Sequence, residues 1–144
     1  MEGFLGTSAS FSSDLTLILT WVFGIVGIIG AINARRRRFS GHCPLMATGA
    51  LLNWLPVLVV MTPMWSSVVG GEPGIPTGGV KLTPVAHGAL GAVTQLLMTY
   101  TVTRMYWLEN LPPHEPIWLM RITLVMWLLT LIGGTFVYVA LYVL

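Results

Sequence analysis

Charge is what this sequence has least of. Seven Lys or Arg and five Asp or Glu make up 8% of its 144 residues, against an apolar fraction of 55% and a mean hydropathy of +0.81. A soluble domain carries about 25% charged residues. Twelve charged side chains cannot clothe a globule of this size in water, so composition excludes a soluble domain, a nucleic-acid binder and a disordered tail. The single cysteine, Cys43, excludes an internal disulfide and any multi-thiolate zinc or iron–sulfur site. The chain also lacks a Ser/His/Asp constellation, an HExxH motif, a phosphate-binding loop and a dinucleotide fingerprint, which leaves no support for a hydrolase or a nucleotide enzyme. Its apolar runs are continuous rather than alternating, and this excludes an outer-membrane barrel.

What is present is four such runs. They predict an all-α, polytopic membrane protein, a single transmembrane domain built as an antiparallel four-helix bundle with spans at about 15–34, 44–64, 84–107 and 117–143. Ser12, Ser13 and Asp14 form a plausible N-cap cluster for the first span. That span is too long for a signal-peptide core and has no basic segment before it. Pro44 is expected at the first helical position of the second span, and Pro56 to kink it. Glycines and prolines make 65–83 a loop. A short polar turn, Glu109 to Pro116, separates the last two spans.

The few charges are sorted. Arg35 to Arg38, Arg104 and Arg121, every arginine in the chain, fall on the side of the turns after spans one and three; Lys81 alone falls on the other. The positive-inside rule then places both termini outside (N-out, C-out) and the long loop with them. No acidic residue lies inside a predicted span, which argues against proton coupling.

Small and polar residues mark the helix faces turned to one another. Gly27, Ala31, Gly30 and Ala34 on span one sit at spacings that let backbones approach closely. On span two the stripe is His42, Met46, Gly49, Asn53 and Pro56; on span three, His87, Gly91, Thr94, Gln95 and Met98; on span four, Thr123, Trp127, Thr130, Gly134 and Tyr138. Asn53, Gln95 and Thr130 are the expected interior polar groups. A buried amide must find a partner, so Asn53 and Gln95 are expected to bond each other, threonine hydroxyls or a ligand.

The three histidines are the side chains with site chemistry. A bis-His haem b needs two imidazoles at one membrane depth. His42 and His87 lie at opposite ends of their spans and cannot share one haem, whereas His42 and His114 lie at the same end and can. At the other end, His87 and the pair Met61 and Met64 offer imidazole and thioether donors that suit Cu(I). Hydrogen bonding at the membrane interface accounts for each histidine equally well, so the cofactor is left open between haem b, copper and none.

The order of these residues resembles the prokaryotic four-helix membrane family that includes YozB and the oxidase assembly factor CtaM. The match runs over about 30–142: Arg35 to Arg38, His42 and Met46, the loop at 70–79, His87, His114, then Trp127, Thr130, Gly134, Tyr138 and Tyr142, with TLIGGTFVYVALY as its most specific stretch. Glu115 stands where a basic residue is expected after the third histidine. The resemblance implies a non-catalytic accessory subunit or assembly factor of a haem–copper respiratory oxidase, acting through transmembrane helix contacts with a larger complex and with membrane lipid, its histidines available for haem or copper. The alternative is a b-type cytochrome subunit for electron transfer, with haem between His42 and His114 and quinone near the arginine-rich face.

Overall fold

The computed structural model describes residues 3–70, 82–107 and 117–143. They form four long helices: α1 (Phe11–Arg35), α2 (Phe39–Gly70), α3 (Leu82–Trp107) and α4 (Ile117–Tyr142). Each packs against its chain neighbours, and α1 also packs on α4, so the four close into a ring. Cross-helix contacts give the directions. Tyr138 near the end of α4 donates to Asp14 near the start of α1, Trp65 late in α2 donates to the Val85 carbonyl at the start of α3, and His87 early in α3 lies against Gly134 late in α4. All neighbours are antiparallel, and the described arginines gather at one end.

The first three helices begin earlier than their apolar runs. Ser10 caps α1, its hydroxyl accepting from the Ser13 N–H at 3.3 Å, so Asp14 is not a cap but a residue of the first turn. The turn into α2 is short. Arg37 takes a left-handed conformation (φ 56°). Its N–H bonds to the Ala34 carbonyl, and the Arg38 N–H to the Asn33 carbonyl, each at 2.9 Å. These two bonds end α1 in a Schellman motif. Helix α2 restarts at once at Phe39, which puts Pro44 inside the helix rather than at its first position.

At mid-helix Pro56 has no N–H to give the preceding turn. The helix accommodates this with a π turn over Val57–Met61, where both the N–H and the hydroxyl of Thr62 reach the Val57 carbonyl. Helix α2 then runs on to Gly70, so the first part of the expected 65–83 loop is helical, as are its last two residues; 71–81 lies outside the described residues. The polar turn 109–116, with His114, lies outside them too.

Three helices, α1, α2 and α4, are long and apolar enough to cross a membrane. Helix α3 has the length but carries more polar groups, and the structure turns several of them inward: Thr94 and Gln95 are each only 2% exposed, and Thr101 and Arg104 are also buried. Among the described residues the largest fully enclosed side chains are Gln95, Thr94, Asp14 and Pro56, while Leu, Ile, Val and Phe cover the outside. Polar inside and apolar outside is the reverse of a water-soluble bundle and supports a protein that sits in lipid.

Glycines set the closeness of α1 to its neighbours. A Cβ at Gly24 would overlap Leu131, one at Gly27 the Trp127 ring, and one at Gly30 the sulfur of Met46. Trp127, Met98 and Ala50 form the small apolar core at this level.

Candidate functional site

Beyond that core, towards the end away from the arginines, the four helices separate around a cavity of about 460 Å³. Helix α2 enters it through its π turn, whose Val57, Val60 and Met61 face the space. Such turns recur at functional sites because they re-aim side chains without breaking the helix. The inner end holds Asn53, Gln95, Thr94, Thr130 and Trp127; His87, Met64 and Trp65 lie further out. No Lys, Arg, Asp or Glu lines it among the described residues.

The polar groups at the inner end are largely committed to one another. Gln95 accepts from Asn53 at 2.8 Å and donates to the Ala50 carbonyl at 3.0 Å, which ties α3 to α2. Thr94 and Thr130 lie 3.2 Å apart, and each hydroxyl also bonds one turn back on its own helix. His87 differs. Its ring lies against Gly134, where a Cβ would approach ring carbon Cε1 to 3.0 Å. Its Nδ1 is buried with no hydrogen-bond partner among the described residues. An orphaned buried polar atom is costly and calls for an explanation.

The structure thus brings His87, Met61 and Met64 to one cavity, with Asn53, Gln95 and Thr130 at its inner end. The space is of the size that small organic ligands occupy, about 300–1,000 Å³, and far exceeds what one ion needs. Among the described residues no three His, Cys, Asp or Glu group together as for a metal.

His42 sits at the opposite end. Its Nδ1 lies 2.8 Å from the Gly30 carbonyl, beside Met46. With Nδ1 donating there, Nε2 is left with its lone pair outward, the second-shell arrangement typical of a ligating histidine. Its proposed partner His114 is outside the described residues, so the pairing has no geometry here. The cavity is not at the arginine-rich face where the sequence reading set a quinone, because Trp127 and Met98 fill the bundle on that side of it.

One group was missed from sequence. Asp14 falls inside α1 and is completely enclosed. Its carboxylate accepts from the Leu5 N–H at 2.8 Å and from the Tyr138 hydroxyl at 2.5 Å, and Thr7 bonds the same phenol at 2.7 Å. The expectation that no span holds an acid is therefore corrected: the helix starts four residues before its apolar run. An acid four residues after a serine was the available signal.

Compared with protein-family models, with curated proteins and with solved structures, the chain matches none.

Proposed function

We propose that the chain is a non-catalytic accessory or assembly protein of a haem–copper respiratory oxidase in a prokaryotic cytoplasmic membrane. All four helices span it, with the arginine-rich end in the cytoplasm and both termini outside. One observation carries the reading beyond the family resemblance. The cavity presents neutral hydrogen-bonding groups and apolar walls, and among the described residues no carboxylate or cation that would work with His87 as an acid–base pair. Such a lining suits a neutral, largely apolar ligand. Contact with the oxidase falls to the apolar outer faces, such as Ile25, Ile29 and Ile32 on α1. Deleting the gene tests this: oxidase activity and haem content of the membranes fall, and the tagged chain co-purifies with oxidase subunits. Normal oxidase in the deletion strain overturns it.

The cytochrome reading is favoured by one contact, the Gly30 carbonyl that orients His42. A Soret band in the purified protein that disappears in His42→Ala would establish it, and a colourless protein would dismiss it.

A further inference from the structure

We infer that the cavity between the four helices is a binding site for the head of a neutral isoprenoid quinone, held by His87 at one ring oxygen. The inference deepens the respiratory reading above and rests on it for the choice of lipid class.

Three features select the ligand. The first is charge. With no ionic side chain lining the space among the described residues, a phospholipid headgroup or the propionates of haem would enter without a counter-ion, at a cost that a low-dielectric site does not forgive. A neutral ligand meets no such penalty. The second is the histidine. Nδ1 of His87 is buried with no partner among the described residues, and the ring is part of the cavity wall; its other nitrogen, Nε2, is the one assigned to the ligand. A plain acyl chain leaves that nitrogen unsatisfied, whereas a ring carbonyl or hydroxyl satisfies it.

The third is the shape of the wall. His87, Gly91 and Thr94 follow one another on one face of α3. Gly91 between them keeps the wall low, and its nearest neighbour across the gap is the methyl of Thr130. Trp65 and Trp127 supply aromatic faces for the ring. The Thr94 and Thr130 hydroxyls, whose protons go to the Leu90 and Met126 carbonyls, are still able to accept from a hydroxyl of the reduced form.

The test titrates a decyl-substituted benzoquinone into the purified full chain in detergent and follows quenching of tryptophan fluorescence. The expected result is saturable binding at one equivalent. His87→Leu weakens it about tenfold, the worth of one hydrogen bond to a buried ligand, while His87→Gln, which keeps a donor, retains most of the affinity. Gly134→Ala leaves the histidine in place but pushes its ring, and it too weakens binding. Helicity and thermal midpoint, recorded for every variant, separate these effects from unfolding.

Quenching that never saturates, or equal affinity in wild type and His87→Leu, overturns the inference. So does Cu(I) titrated alone that binds at one equivalent, excludes the quinone and is lost in Met61→Leu and Met64→Leu. The two readings fail separately. Saturable quinone binding with normal oxidase in the deletion strain sinks the accessory role and leaves the site. A crippled oxidase without quinone binding does the reverse.

Discussion

The hydroxyl of Tyr138, near the end of α4, donates to the carboxylate of Asp14 in the first turn of α1 at 2.5 Å, in a setting where Asp14 has no exposed surface. The bond joins two helices that are 124 residues apart in sequence, and it also fixes the segment before α1. Leu5 donates its N–H to the same carboxylate, Thr7 bonds the Tyr138 phenol, and Ser8 reaches the Tyr142 carbonyl. Residues 3–10 are thereby folded back over the end of the bundle next to the cavity, where Tyr138 and Tyr142 are part of the lining.

Removing either partner should loosen that end, but not equally. Tyr138→Phe loses one bond to the carboxylate and leaves Leu5 bonded. Asp14→Ala strands the Leu5 N–H and leaves the Tyr138 hydroxyl only Thr7, so it should be the more destabilising of the two. Because the groups act as a unit, the double variant should be about as unstable as Asp14→Ala alone. Denaturation of the three variants in detergent checks the order, and simple additivity would show that the two side chains act independently.

The contact of Gly27 with Trp127 makes a second prediction. A Cβ at Gly27 would overlap the indole, which is 6% exposed and walled in by Ala50 and Met98. Gly27→Ala should therefore cost about 1–3 kcal/mol, the range for overpacking a filled core. Trp127→Leu in the same chain should recover part of that loss, because the smaller side chain vacates the place the methyl needs. An unfolding series on the single and double variants measures both. The control is Gly70→Ala, where a Cβ meets nothing within 4 Å.

These two contacts also show what sequence could and could not convey. The glycine spacing on α1 and the Trp127 stripe on α4 were readable as packing faces, since 3.6-residue periodicity is local information. Asn53 and Gln95 were readable as interior groups for the same reason. That they bond each other was one of three options the sequence left open, and the choice among them depends on the register between α2 and α3, which follows from how both pack. The cavity was legible only in its parts. His87, Met61 and Met64 fall at one end by topology, but the space between them follows from the π turn after Pro56, and hydropathy carries no trace of that turn beyond the proline. Asp14 was misplaced because an apolar run marks where lipid-facing residues begin, not where helical hydrogen bonding begins.

Gln95 is the only described side chain that bonds both a side chain and the backbone of a neighbouring helix at mid-bundle. Gln95→Leu should cost about 1–2 kcal/mol, within the range for losing interhelical hydrogen bonds in a bilayer and leaving an amide unpaired. Gln95→Glu, protonated at low pH, still donates one bond to the Ala50 carbonyl and should lie between leucine and wild type. Steric trapping or detergent unfolding reads the difference. A leucine variant as stable as wild type would mean that Asn53 finds another partner.

Arg37 offers a gain rather than a loss. It holds φ 56° in the turn between α1 and α2, a region that costs a residue with a Cβ roughly 1–2 kcal/mol and that glycine enters freely. The two backbone bonds that close this turn, from Arg37 to Ala34 and from Arg38 to Asn33, use main-chain atoms only, so the side chain at 37 can be dispensed with. Arg37→Gly should raise stability by roughly 0.5–1 kcal/mol, somewhat less than the strain relieved because glycine is also freer in the unfolded chain. The substitution removes one of four consecutive arginines, so Arg36→Gln serves as the charge-matched comparison: it deletes a cation at a residue with ordinary negative φ (−85°). A rise in the unfolding midpoint for Arg37→Gly and none for Arg36→Gln assigns the effect to the backbone. Equal changes in both would assign it to relief of repulsion among the arginines.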